Sequence, residues 1–270
     1  MTYQEILTEK RDGVLYLTLN RPEKHNALTP LMLEELLDAL HQAKTDAEVG
    51  PIVIKGAGRS FCSGWDISPS PDRGAAGEMT IRDDIEQMAG RSGRWSEIWH
   101  LNKPVIAQVH GYCLGGGTDL AMHCDLTIAA EDAQFGYPAV RSMGTPATHM
   151  WTYMVGPQWA KRLLLTGDSV DGKTAERIGL VLKAVPADRL DEEVDKVAGN
   201  MAMVPHDLLV ANKAICNKAV ELMGRSLLQT LALEGDAISH RTKASVEFSR
   251  MAKREGLKAA LADRDGKFSR

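Results

Sequence analysis

Two glycine-rich loops carry the residues of this chain best suited to chemistry. They are FCSGWDI at 61–67 and GYCLGGGTDL at 111–120, and each follows an apolar run. In the second, Gly115, Gly116 and Gly117 lead into an apolar helix expected over about Thr118 to His123. Adjacent glycines present no Cβ, and the N–H groups at a helix start have no partner in their own helix. Such donors favour negative charge. The same glycines also suit a close-packed turn. If the two preceding strands share one sheet, the loops meet at one edge and an N–H from each converges on one oxygen. That is an oxyanion hole, which suits a thioester carbonyl becoming an enolate. No Lys-Ser/Thr follows the glycines and G-x-G-x-x-G is absent, so neither a P-loop nor a dinucleotide fingerprint is present. Several proton carriers lie near in sequence: Asp119, His123, Tyr137, Arg141 and His149. His123 stands four residues after Asp119, on the same helix face.

The elements that must position these loops read as an α/β pattern. Residues 3–20 form a hairpin, with alternation in Tyr3–Glu9 and Val14–Leu19 around Arg11-Asp12-Gly13. Thr29 is an N-cap and Pro30 a first helical residue for a helix to Lys44. PIVIKG at 51–56 is a buried strand. Residues 68–78 are rich in Pro, Gly, Ser and Ala, which reads as a surface loop, and their place after a glycine loop makes them a candidate lid. A long helix from Ile81 to Trp99 then leads to the strand Val105–Val109. The second glycine loop, its helix and a strand Leu126–Ala129 follow. The order β-β-α-β-α-β, then α-β, predicts a layered sheet with crossover helices. Beyond a short strand at 134–136, helices are expected over 147–154, 158–165 and 171–178, then a strand in LVLKAV. From Leu190 onward the pattern is helical: about 191–203, 205–221, 225–250 and 255–262.

Composition narrows the class. The 270 residues carry 44% hydrophobic and 25% charged side chains, ordinary for a globular enzyme. A net charge of −4 gives no reason to expect nucleic acid or an anionic membrane as partner. The four cysteines sit apart with no C-x-x-C, so neither disulfides nor a metal site is expected, in keeping with a cytoplasmic location. No apolar run has the length of a signal peptide core or a membrane span.

The pieces LTLNRPEKHNAL (17–28), IVIKGAGRSFCSGWDI (52–67), KPVIAQVHGYCLGGGTDLAMHCDLTIAAEDAQFGYP (103–138) and RLLLTGDSVDGKTAERIGLVLKAVP (162–186) carry a further signal. In this order and spacing the chain resembles the enoyl-CoA hydratase/isomerase family, the crotonase superfamily. The resemblance implies a crotonase-like spiral of ββα units over 1–190, with the CoA and acyl site. It implies a C-terminal helical trimerisation region over 191–270, and a homotrimer or dimer of trimers. It implies an acyl-CoA thioester as substrate, with coenzyme A part of that substrate and no separate cofactor. The hole donors fall on the N–H groups of Trp65 and Gly116. Lys24, Ala27, Ser63, Asp66 and Ile67 fall along the thioester arm or nucleotide.

The departures from that pattern bear on the reaction. Hydratases of the family use two glutamates. The first position holds Asp119 here, and the second, directly after Pro138, holds Ala139 at the acyl end of the site. The segment after Pro146 is replaced, with about three residues lost, by ATHMWTYMVG. Hydration needs a base for water and an acid for C2, and a methyl group serves as neither. Hydratase turnover is therefore expected to be weak, by about 10²–10⁴-fold, unless another residue substitutes. Asp119 is the expected catalytic group. Arg141 is expected to be structural, and Trp65, Trp95, Trp99, Trp151 and Tyr153 could wall an acyl pocket. The expected function is that of an enoyl-CoA hydratase/isomerase in fatty-acid or related acyl catabolism. The alternatives are an isomerase, a C–C bond hydrolase of a β-keto acyl-CoA, or a CoA-thioester binder without catalysis.

Overall fold

A computed structural model describes residues 3–68 and 79–268. The candidate lid, from residue 69 on, lies outside the described residues. Six strands form the main sheet: β1 (Ile6–Arg11), β2 (Val14–Leu19), β3 (Ile52–Gly56), β4 (Val105–Val109), β6 (Leu126–Ala130) and β9 (Lys183–Val185), in the order β1-β2-β3-β4-β6-β9. β1 pairs antiparallel with β2 through the predicted hairpin, and all later neighbours are parallel. Parallel strands are covered on both faces, and every residue of β4 is buried. A second sheet, β5 (Tyr112–Leu114), β7 (Gln134–Gly136) and β8 (Ser169–Asp171), lies in the order β5-β7-β8.

The helices follow local signals closely in the first half. Helix α1 (Pro30–Thr45) starts where Thr29 accepts from the Met32 N–H at 3.0 Å, and it buries Met32, Leu33, Leu36, Ala39, Leu40 and Ala43. Helix α2 (Ile81–Trp99) begins in a capping box between Thr80 and Asp83. It buries Trp95, Ile98 and Trp99. Helix α3 (Gly116–His123) is buried along its whole length. Helix α4 (Trp151–Thr166) joins the two helices expected over 147–154 and 158–165, with a kink at Gly156-Pro157. It starts four residues late because Ala147–Met150 remain a loop.

The remaining helices are α5 (Gly172–Arg177), α6 (Leu190–Ala202), α7 (His206–Leu222), α8 (Arg225–Ser239), α9 (Lys243–Glu255) and α10 (Leu257–Gly266). Helix α6 packs on β4 and β6, so it covers the main sheet. The single helix expected over 225–250 is two. Thr242 accepts from the Ser245 N–H at 3.3 Å and caps a new helix after a turn at 240–242. The turn matters because it faces α2, as described below. No helix among the described residues is long and apolar enough to cross a membrane.

Candidate active site

The two glycine loops lie side by side. The Cys62 N–H donates to Tyr112 O at 2.9 Å, and the Leu114 N–H donates to Cys62 O at 3.0 Å. Gly111, with φ of +56°, lets the chain leave β4 against Arg59, whose carbonyl would stand 2.0 Å from an added Cβ. Gly64, with φ of +102°, brings the first loop so close that an added Cβ would lie 2.9 Å from Leu114 O and 3.3 Å from the Gly116 nitrogen. The two loops thus bring Trp65 and Gly116 next to each other. The Trp65 indole covers Gly116, since a Cβ there would meet its Nε1 at 2.7 Å.

Their backbone donors are unengaged. Residues Gly64 and Asp66 bridge to Leu28, through Leu28 N–H to Gly64 O at 2.8 Å and Asp66 N–H to Leu28 O at 2.9 Å. Alternation along an extended segment turns the intervening Trp65 N–H the other way. Gly116 is the first residue of α3, so its N–H has no intrahelical acceptor. Among the described residues, neither N–H has a hydrogen-bond partner.

Asp119 lies one turn into α3 and is 2% exposed. Burial pushes its carboxyl up to about 7. A hydrogen bond from Thr148 Oγ1 to Oδ1 at 2.5 Å pulls in the other direction, and the nearby Asp236 carboxylate adds to the rise. Oδ2 of Asp119 has no partner among the described residues. A cavity of about 370 Å³ opens beside it. Trp65, Ile67, Asp119 and Ala139 all line this cavity, so the structure brings these sequence-predicted positions together.

The other predicted positions gather on the neighbouring loop contact and do not line the cavity. Lys24 is exposed in a short 3-10 turn at Pro22–Lys24, and its carbonyl accepts from Ser63 Oγ at 3.4 Å. Ala27 is buried there, and its carbonyl accepts from Arg21 at 2.7 Å. Asp66 pairs with Arg21 at 3.0 Å and accepts from the Ser68 N–H at 2.9 Å. Burial works to raise its pKa, but these bonds outweigh it and hold the carboxyl below its usual range.

Several candidate proton carriers are occupied elsewhere. His123 is buried, its Nδ1 bonded to Asp119 O at 2.7 Å, and its ring stands edge-on to Trp99. Burial drives its pKa down to about 4, so it is a packed neutral imidazole that does not touch the Asp119 carboxylate. Arg141 bridges Thr166 O, Asp168 and Asp265, the structural role expected of it. Tyr137 lines the cavity, and burial raises its phenol well above the ordinary value, with Asp119 and Asp236 adding to the effect. His149 has φ of +45° and a buried Nδ1 without a partner. Of the aromatic set, Trp65 and Trp95 line the cavity, while Trp99 and Trp151 belong to the core.

A second polar group lines the same cavity and was not among the sequence candidates. Asp236 on α8 is 6% exposed, and its Oδ1 accepts from the Thr145 N–H at 2.8 Å. His240, one turn on, points Nε2 to Asp236 Oδ1 at 3.5 Å and Nδ1 to Asp84 Oδ2 of α2 at 3.1 Å. Arg241 adds an ion pair to Asp84 at 3.3 Å and a hydrogen bond to Met79 O at 2.7 Å. The i, i+4 spacing of Asp236 and His240 was the available sequence signal.

A mostly parallel sheet, two strand-following glycine loops that meet, and a buried carboxyl at a cavity beside them define an α/β protein of the crotonase fold. The comparisons agree. The model of the family "Enoyl-CoA hydratase/isomerase" matches residues 9–268, and the chain belongs to that family. It is 36% identical over 272 residues to a probable enoyl-CoA hydratase of Rhizobium meliloti (strain 1021), covering 99% of both chains. It is 34% identical over 280 residues to the crotonyl-CoA hydratase of Syntrophomonas wolfei, again covering 99% of both. The crystal structure of an enoyl-CoA hydratase from Mycobacterium smegmatis superposes with a TM-score of 0.91 at 32% identity, over 98% of this chain and 94% of that one. The family acts on acyl-CoA.

Proposed function

We propose that this chain converts an acyl-CoA thioester through an enolate in fatty-acid or related acyl catabolism. Trp65 and Gly116 supply the two N–H donors to the thioester oxygen, and Asp119 is the proton-transfer group at the acyl carbon. Coenzyme A passes along Lys24, Ala27, Ser63, Asp66 and Ile67, and the acyl chain enters the cavity past Ala139. The observation that carries this reading is the buried Asp119 carboxyl, poised near 7 at the wall of the cavity that Trp65 also lines. A general acid works best with a pKa near the operating pH. Ala139 removes the ordinary two-glutamate arrangement, so double-bond isomerisation and C–C hydrolysis of a β-keto thioester stay in the test.

The proposed assembly is a homotrimer or a dimer of trimers, in the cytoplasm. It is supported by exposed apolar side chains on α7 and α8, among them Leu208, Ile215, Leu222, Leu227, Leu231 and Ile238. The experiment is turnover of crotonyl-CoA, a 3-enoyl-CoA and a cyclic β-diketone thioester, beside calorimetric binding of butyryl-CoA. Reaction of one thioester and its loss in Asp119→Asn, with butyryl-CoA binding kept, is the expected result. Binding without reaction of any of the three would leave the chain a thioester binder, and no binding would remove the reading.

A further inference from the structure

We infer that Asp236, reaching the acyl cavity from α8, is the second proton-transfer group that the sequence lacks at Ala139, and that His240 and Asp84 position it. The inference rests on the thioester reading above. Its geometric basis is independent of the family pattern.

Asp236 is built into the cavity wall. The loop at 142–149 approaches α8 at Gly144, where an added Cβ would stand 2.3 Å from Asp236 Oδ1 and 3.0 Å from His240 Nε2. Only a glycine leaves that space. The neighbouring Thr145 N–H then donates to Oδ1, which fixes the carboxylate. Oδ2 has no partner among the described residues, though Asp236 is more than nine-tenths buried and lines the cavity. That oxygen is reached from the cavity and is open to a hydrogen bond from a bound group. Asp119 presents the same feature from α3. Two carboxyls, each with one oxygen anchored by the protein and the other open to a ligand, thus line one cavity. That is the arrangement needed to serve a water and a carbon of one bound acyl chain.

The two are set differently. Every titratable or charged neighbour named here around Asp236 can be assigned a sign: Asp119 of α3 and Asp84 of α2 disfavour its charge, His240 favours it when protonated, and Tyr137 is neutral. Arg241 neutralises Asp84 through their ion pair. Asp119 has no cation paired with it. Burial raises the Asp236 carboxyl too, but the His240 ring, the Thr145 N–H and the Ser239 hydroxyl all work against that rise, whereas only the Thr148 bond opposes it at Asp119, so Asp119 holds its proton more readily and Asp236 is the member more easily ionised.

The step balances for addition of water to a 2-enoyl thioester. The Asp236 carboxylate takes one proton of water as the water oxygen bonds to C3. The C2=C3 electron pair moves to form the enolate, whose oxygen rests on the two backbone donors. The Asp119 carboxylic acid then gives its proton to C2, and the thioester carbonyl re-forms. Asp236 is left protonated and Asp119 ionised, and one proton exchanged through solvent restores both.

The test uses the full-length protein, butyryl-CoA binding and crotonyl-CoA hydration across pH. Asp236→Asn keeps an oxygen for the Thr145 N–H and removes the base. We expect kcat to fall by about 10²–10⁴-fold with butyryl-CoA affinity changed by less than about threefold. Asp236→Glu is expected to recover part of the rate. His240→Gln removes the ring whose positive form favours the Asp236 carboxylate, so the acidic limb of kcat/KM moves to higher pH, a shift that lost packing would not produce. Asp236→Asn with the parental kcat overturns the inference, as does an unmoved acidic limb in His240→Gln, which alone decides if Asp236→Asn fails to fold. A parent that binds butyryl-CoA but does not hydrate crotonyl-CoA removes this role and leaves the thioester reading standing. A parent that binds no acyl-CoA removes both.

Discussion

Replacing Asp119 by Asn should make the protein more stable above neutral pH, and the gain should grow with pH in a defined window. The carboxyl sits at about 7 in the fold, against 3.8 when exposed, chiefly because burial penalises its charged form. Between those values the folded chain binds a proton that the unfolded chain has lost. Stability therefore falls as pH rises through the window, by about 1.4 kcal/mol per pH unit from this group alone. Over the whole interval the cost comes to about 4 kcal/mol. Asparagine does not ionise, so the variant escapes this term, and its amide oxygen can still accept from the Thr148 hydroxyl. All other titrating groups are shared by parent and variant and drop out of the difference. The assay is urea unfolding of both proteins at pH 4, 5, 6, 7 and 8. The stability of the variant minus that of the parent should be smallest at pH 4, rise steadily to about pH 7 and then level off. A difference that does not change with pH would refute the assignment of a protonated, desolvated carboxyl at the acyl site. The same variant should have lost turnover, so stability gained and activity lost would come from one atom.

Three further outcomes follow from the packing. Gly64→Ala places a Cβ at φ of +102° and 2.9 Å from Leu114 O, so it should cost about 1–3 kcal/mol in unfolding experiments and abolish turnover by displacing the adjacent Trp65 N–H. Gly144→Ala should separate the 142–149 loop from Asp236 and His240, lowering stability by about 1–3 kcal/mol and lowering kcat more than it changes butyryl-CoA affinity. Light scattering at micromolar concentration should report a trimer or hexamer, and Leu222→Glu, at a position 83% exposed in the single chain, should shift it toward monomer.

Much of this site is legible in sequence because its donors are backbone groups set by local geometry. Gly64 and Gly111 announce turns, the apolar runs at 52–56 and 105–109 announce buried parallel strands, and the glycine triplet announces the start of α3. Once those strands share a sheet, Trp65 and Gly116 have little freedom to lie elsewhere. The second carboxylate was hidden for the opposite reason. Asp236 stands in a segment whose apolar residues continue the pattern through 225–250, so the turn at 240–242 and the helix face of Asp236 and His240 do not show. Their meaning depends on Asp84 of α2 and on the missing Cβ at Gly144, two contacts far apart in the chain that no periodicity links. The same distance explains why Ala139 looks like a loss when read locally. A proton-transfer group has to reach the substrate, and it need not come from the loop that bears it in relatives. In this fold α8 lies against α2 at the cavity wall, so the helices expected to serve assembly also close the acyl site. The proposed assembly and the proposed proton transfer would then draw on opposite faces of one helix: Leu227, Leu231 and Ile238 are exposed, while Asp236 is buried toward Asp119. A change on the outer face that tilts α8 is therefore expected to alter the pH profile of turnover before it alters thioester binding.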